Sequence, residues 1–164
     1  MSDTPAALTP AQLRAYFAFT EVGSLLRPAV EKQLGDAGGL SYVQFQLLAR
    51  LGDSPDGHQR MTDLADGLVY SRSGLTYQAQ LLEKRGLINR SPSPDDERST
   101  VVAITAAGRE VLDTVFPGHI ATVHSLLFAP LTDDDAGELA RILGRVSEHL
   151  RAAPPRSASR RRGR

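Results

Sequence analysis

Asp96 and Arg98 stand two residues apart in a charged stretch, SPSPDDERST (91–100), flanked by short apolar runs. A guanidinium near the tip of a hairpin has the reach and charge to enter a DNA minor groove, where narrow A·T-rich stretches attract arginine. An aspartate two residues earlier could hold that guanidinium in one rotamer through a bidentate pair. The plain alternative is a loop ion pair of little consequence. A second set lies upstream, on the face opposite Leu75, Ala79 and Leu82: Arg72, Ser73, Thr76, Tyr77 and Gln80, with Ser71 before it and Lys84 near its end. Donors, acceptors and one early cation, with no acid before Glu83, are what reading base edges in a major groove requires. Ser71 and Ser73, beside the free amides of a helix start, could hold a phosphate. The alternative here is an ordinary solvated helix face.

Both sets need a scaffold. Leu75, Ala79 and Leu82 recur at i, i+4 and i+7, which predicts a helix capped by Ser71 and stopped at Gly86 after Lys84 and Arg85. Residues 87–90 and 101–104 read as two strands joined by the loop 91–100, with Pro92 and Pro94 keeping the loop from extending the ladder. Upstream, Thr9, Pro10 and Gln12 form a capping box with proline at the first helical position, and Leu8 and Leu13 stand where a hydrophobic staple would close. That first helix runs to Gly38-Gly39, with a bend or break expected one turn before Pro28. Ser41 caps a second helix striped by Val43, Phe45, Leu47, Leu48 and Leu51, and 53–57 is a loop. Thr62 is expected to cap a short third helix with Leu64, Ala65 and Leu68 inward. Thr105 caps a fifth, kinked at Pro117. Thr132, followed by Asp133, Asp134 and Asp135, opens a sixth with the stripe Leu139, Ile142, Leu143, Val146 and Leu150.

Composition narrows the classes. At 164 residues the chain has about the length of one domain. It has no Cys, which excludes disulfides, thiolate metal sites and a thiol redox switch. The N-terminus lacks a secretory pattern and no run of 18 apolar residues is evident, so a cytoplasmic protein with no membrane partner is expected. Net charge is zero, but six Arg and no acid lie from Arg151 onward, leaving 13 bases against 19 acids in residues 1–150, a net of −6. Such a body cannot bind nucleic acid by bulk attraction; a few placed cations must do it. The Arg-rich end could add a nonspecific phosphate contact or be a solvated tail. No P-loop, G-x-S-x-G, H-E-x-x-H or Gly-rich dinucleotide turn is present, so no enzyme and no cofactor are expected. No metal is expected either, since His119 and His124 do not share a helix face.

Three blocks carry a resemblance: LSYVQFQLLARL, MTDLADGLVYSRSGLTYQAQLLEKRGLINR and DDERSTVVAITAAG. With these, residues 41–104 resemble the MarR family of transcriptional regulators. The last block looks like that family's wing signature, D-x-R followed by a strand and L/I-T-x-x-G. The likeness in spacing extends over about 9–150.

The resemblance implies a homodimer whose first, fifth and sixth helices form the interface and whose two winged lobes bind a pseudopalindrome in double-stranded DNA. It makes Arg98 the minor-groove arginine, Asp96 its anchor and the helix from Ser71 the major-groove reader. Many members carry Arg where this chain has Tyr77, which leaves base preference there open. Gly74, a poor helix former, is expected to loosen the start of that helix.

The resemblance also implies a pocket for a small aromatic or phenolic effector, with Arg14, Tyr16, Phe19, Arg27, Phe45 and His58 as candidate lining. For each of these the alternative is ordinary core or surface.

The expected fold is mainly α (α+β): a winged helix-turn-helix core with long flanking dimerisation helices, ordered helix–helix–helix–helix–strand–wing–strand–helix–helix. The expected divisions are a flexible N-terminus at 1–8, dimerisation helices at 9–40 and 105–151, a winged DNA-binding lobe at 41–104 and a disordered tail at 152–164. The expected function is a sequence-specific, ligand-responsive repressor. The competing reading is a winged-helix protein–protein module without sequence-specific DNA binding, in which Thr76, Tyr77 and Gln80 would face a protein partner.

Overall fold

The computed structural model describes residues 7–68, 70–94 and 96–152. They fall into two compact units that divide between Val123 and His124. The first unit contains α1 (Pro10–Gly38), α2 (Tyr42–Asp53), β1 (His58–Arg60), α3 (Met61–Gly67), α4 (Arg72–Lys84), β2 (Ile88–Ser93), β3 (Asp96–Ile104) and α5 (Ala106–Val123). The second contains a π-helical segment, His124–Phe128, and α6 (Asp133–Ala152).

The core of the first unit is aliphatic. Leu34, Leu47, Leu48, Leu51, Leu64, Leu75, Leu82, Ile88, Val102 and Val115 are fully buried, each contributing about 1.5–3 kcal/mol from removal of apolar surface from water. These residues come from α1, α2, α3, α4, β2, β3 and α5, so one core fixes the helix α4 against the sheet. The sheet is antiparallel with β3 in the centre. β1 pairs with β3 at His58↔Ala103 through Arg60↔Val101, and β2 pairs with β3 from Ile88↔Ile104 outward.

Local signals explain most element starts. Thr9 accepts from the Gln12 amide while the Gln12 side chain accepts from Thr9, closing the expected capping box. Ser41 and Gln44 close a second one for α2. Thr105 caps α5: its Oγ1 accepts from the Gly108 amide at 3.0 Å and donates to the Gly86 carbonyl at 2.7 Å. Thr132 caps α6, its Oγ1 accepting from the Asp135 amide while the Asp135 carboxylate accepts from the Thr132 amide. The Thr132 hydroxyl and amide hold the Asp135 carboxyl below its usual range.

Several expectations are corrected. Helix α1 is unbroken through Pro28, because the proline withdraws one amide while both capped ends and the buried Val30 and Leu34 hold the rest. Leu8 and Leu13 are both exposed. The N-cap of α3 is Arg60, whose side chain makes no capping hydrogen bond, and Thr62 lies inside the helix. The strand β1 was not expected; at three residues it is too short to show alternation, and its partner, not its own pattern, makes it a strand.

The hairpin is longer than expected, since Pro92 sits within β2 opposite Thr100. β2 is an edge strand, and there a proline loses no ladder bond if its nitrogen faces away from β3. Helix α6 reaches Ala152, the first residue of the expected tail; the rest of that tail, 153–164, and residues 1–6 lie outside the described residues.

One stretch, Ala106–Phe128, is long and apolar enough to cross a membrane by length and composition. Within it Val115 is buried and Val111, Leu112 and Val123 lie against the core, while most of its other residues are not buried.

Candidate nucleic-acid interface

Helix α4 presents the expected face. Leu75, Ala79 and Leu82 are fully buried, while Ser71, Arg72, Ser73, Tyr77 and Gln80 are exposed and Thr76 is half-buried. Ser71 Oγ accepts from the Gly74 amide at 3.2 Å, leaving its hydroxyl hydrogen free to donate. Thr76 differs: its Oγ1 donates to the Arg72 carbonyl at 2.8 Å, so toward a base edge it can only accept. Tyr77, 58% exposed, carries a phenol that both donates and accepts.

Gly74 does not merely loosen the helix. A Cβ there would lie 2.7 Å from Ser71 Oγ and 2.8 Å from the Tyr70 ring, so the glycine makes room for an exposed aromatic at the helix start. Sequence reasoning missed Tyr70, which lies just before the cap and outside the periodic face.

The C-terminal end of α4 is tied in two directions. Glu83 reaches forward to β2, where its carboxylate accepts from the Arg90 amide (3.1 Å), Nε (2.9 Å) and Nη2 (2.7 Å). The Arg90 guanidinium holds the Glu83 carboxyl below its ordinary range. Arg85 reaches back, Nη1 to the Gly39 carbonyl and Nη2 to the Gly38 carbonyl, both at 2.8 Å, and so caps the end of α1. Gly86, at φ 70°, takes the left-handed turn into β2 that a side-chain-bearing residue would resist. At the other side of α4, Gln78 Oε1 accepts from Gln44 Nε2 at 2.9 Å, linking the helix to the cap of α2. None of these ties was anticipated; opposite charges seven residues apart across a glycine turn were the available signal for Glu83 and Arg90.

In the wing, the ladder passes from Pro92↔Thr100 directly to Ser93↔Asp96, so residues 97–99 of β3 have no partner across in β2. Arg98 is the middle residue of that bulge and is exposed. Asp96 anchors it differently from expectation: its Oδ1 accepts from the Arg98 backbone amide at 3.0 Å, fixing the bulge through the main chain. The reason is local, since a side chain two residues before an amide closes an Asx-type turn more readily than it meets the far end of an arginine. Among the described residues no ion pair holds Arg98, Arg72 or Lys84, so these cations need break no internal pair to meet a phosphate or groove.

The candidate effector residues lie on three elements, α1, α2 and β1. Arg14, Tyr16 and Phe19 lie on exposed turns of α1. Arg27 pairs with Glu31 and lies 5.4 Å over the Tyr42 ring. His58 is in β1 and Phe45 is a core residue. Phe45 instead has the His119 ring at 4.4 Å and Phe116 at 6.4 Å. Among the described residues, the buried atoms His119 Nδ1 and Gln33 Oε1 have no hydrogen-bond partner, and burial pushes the His119 pKa down. The two depressions described, lined by residues such as Lys32 and Gln33 and by Gly38, Glu110 and Val111, include none of the six candidates.

A model of the MarR family matches residues 38–99. The chain is 29% identical over 108 residues to the HTH-type transcriptional regulator MhqR of Bacillus subtilis, covering 66% of this chain and 72% of that one. Among solved structures, it is similar to Sco3205 of Streptomyces coelicolor, a MarR family transcriptional regulator determined in complex with DNA. The TM-score is 0.86 and the identity 33%, covering 93% of this chain and 94% of that one. It is also similar to AbsC, a MarR family transcriptional regulator of the same organism, with a TM-score of 0.83 and 31% identity over 90% and 99% of the two chains.

Proposed function

We infer the function of this chain from its family and its site: it belongs to the MarR family of transcriptional regulators. It binds double-stranded DNA sequence-specifically as a homodimer and acts as a ligand-responsive repressor in the cytoplasm. The observation that carries this reading is the pairing of the exposed polar face of α4 with an exposed arginine in the adjoining wing. Helix α4 lies in the major groove, where Arg72, Ser73, Tyr77 and Gln80 reach base edges and Thr76 accepts from them; Ser71 and Lys84 meet phosphate. Arg98 enters the adjacent minor groove from a bulge that Asp96 fixes through the backbone. Two such lobes read a pseudopalindrome whose half-sites lie about 10 bp apart. The relative Sco3205, determined with DNA, supports the reading at 33% identity. The chain carries no enzymatic role on this reading.

The test is a gel shift and footprint on the DNA upstream of the chain's own gene. Tight, salt-sensitive protection with two-fold symmetry is expected, and Arg98→Ala should lower affinity by about tenfold or more while leaving the melting temperature unchanged. Absence of sequence-specific binding over a range of salt would instead favour the protein–protein module. Regulation by a small aromatic or phenolic effector requires that the ligand favour one of two DNA-binding states. It is tested by screening aromatic acids for a thermal shift accompanied by release of DNA, and no such release across the series would remove that part of the reading.

A further inference from the structure

The wing must hold its place relative to α4 if both are to meet adjacent grooves, yet the outer part of the ribbon has only two strands. β1 pairs with β3 only at residues 101–103, so beyond Val101 the ribbon has no third strand beside it. The turn joining α4 to β2 is a glycine in a left-handed conformation, held at the base of the ribbon by the Thr105 hydroxyl, so these bonds secure the base and not the outer part. Leu87 and Ile88 anchor the base of the ribbon in the core, while Asn89, Ser91 and Pro92 are exposed.

Arg90, between these exposed residues, is drawn back toward the helix. Its amide points away from β3, on the open edge of the sheet, and the Glu83 carboxylate takes that amide and two guanidinium donors together. The side chains are 36% exposed for Glu83 and 23% for Arg90, so the pair is partly sheltered from water and the three bonds fix its geometry.

We propose that Glu83 and Arg90 form a clamp that sets the position of the wing on the recognition helix, and hence the entry of Arg98 into the minor groove. Both act as positioning residues, and neither need touch DNA. This rests on the reading that α4 and the wing contact DNA. The pair also cancels the charge of the first acid on α4, which would otherwise face the phosphates.

The sign of the effect separates the clamp from simple electrostatics. Glu83→Ala removes a negative charge and frees a positive one beside DNA, so bulk attraction predicts tighter binding. The clamp predicts weaker binding, by about tenfold, of the kind seen when a specific groove contact is lost. Glu83→Gln, which keeps the backbone acceptor and the shape, guards against a folding defect and should weaken binding in the same direction.

A double-mutant cycle with Arg98→Ala adds a readout that lost stability would not move. In the unaltered protein Arg98→Ala should reduce operator affinity by about tenfold or more, and in the Glu83→Ala background by less than about threefold. Equal factors in the two backgrounds, or unchanged or tighter binding by Glu83→Gln, would overturn the clamp while leaving the DNA reading intact. A silent Arg98→Ala in the unaltered protein would bring down the wing reading itself, and the clamp with it.

Discussion

At the scale of single residues, the chemistry lies in which hydrogen-bonding groups remain uncommitted. Thr76 and Gln80 are both polar residues of α4, but the Thr76 hydroxyl hydrogen already serves the Arg72 carbonyl. Gln80 is exposed and retains both donors and acceptor. Gln80→Ala and Tyr77→Ala should therefore each change base preference at one half-site position by roughly 1–3 kcal/mol, whereas Thr76→Val should change it less. Competition binding over a library of half-site variants measures this; a loss uniform over all sequences would mean that Gln80 and Tyr77 touch only phosphate. These exposed residues were legible in the sequence because the apolar periodicity of Leu75, Ala79 and Leu82 fixes the opposite face. Asp96 was legible as a partner of Arg98 but not as a partner of its backbone. Two residues of spacing admit both geometries, and only the bulge at 97–99 selects one.

At the scale of elements, the junction between α4, the wing and α5 is built from main-chain groups that no side-chain pattern advertises. The Leu87 carbonyl accepts from the Thr105 amide at 3.1 Å, and Thr105 Oγ1 bridges the Gly86 carbonyl to the Gly108 amide. Thr105 was legible as a cap, but its second bond, to Gly86 at the start of the hairpin, depends on two segments 19 residues apart meeting. Gly108 lies where a Cβ would come 2.1 Å from the Leu87 carbonyl oxygen, which is backbone and cannot swing aside. Gly108→Ala should consequently destabilise the fold by about 1–3 kcal/mol or more despite alanine's better helix propensity. Thr105→Val, nearly isosteric, removes the cap and should cost about 1–2 kcal/mol. Thermal or urea unfolding tests both, and a Gly108→Ala protein as stable as the parent would show that α5 can shift away from Leu87. The strand β1 and the reach of β2 through Pro92 were hidden for a related reason. Short edge strands are defined by their neighbours, and the sequence of a strand does not name its partner.

For the whole molecule, the apolar surface left uncovered by one chain is the largest unsatisfied demand. No residue of α6 is buried, although Ile142, Leu143, Val146 and Leu150 form the stripe its periodicity predicts. Helix α1 likewise exposes Tyr16, Phe17, Phe19, Val22 and Leu25, with only Val30 and Leu34 buried. Apolar faces of this extent on long, well-capped helices call for a cover, and we propose a second copy of the chain as the occupant. The stripe was readable from sequence as a helix face, but a single chain carries no sign of whether its own core or a partner covers it. Placing a carboxylate in the stripe separates those cases. Ile142→Glu is exposed within the protomer and should leave its folding nearly unchanged, since surface substitutions typically stay within about 0.5 kcal/mol. In a dimer the same carboxylate would be buried without a partner, at a penalty of several kcal/mol. Light scattering at micromolar concentration should therefore give twice the protomer mass for the parent and close to one protomer for Ile142→Glu. The variant should also lose two-fold operator protection, because one lobe alone reaches only one half-site. A parent of protomer mass, or an Ile142→Glu protein that stays dimeric with full protection, would place the homodimer interface elsewhere or remove it.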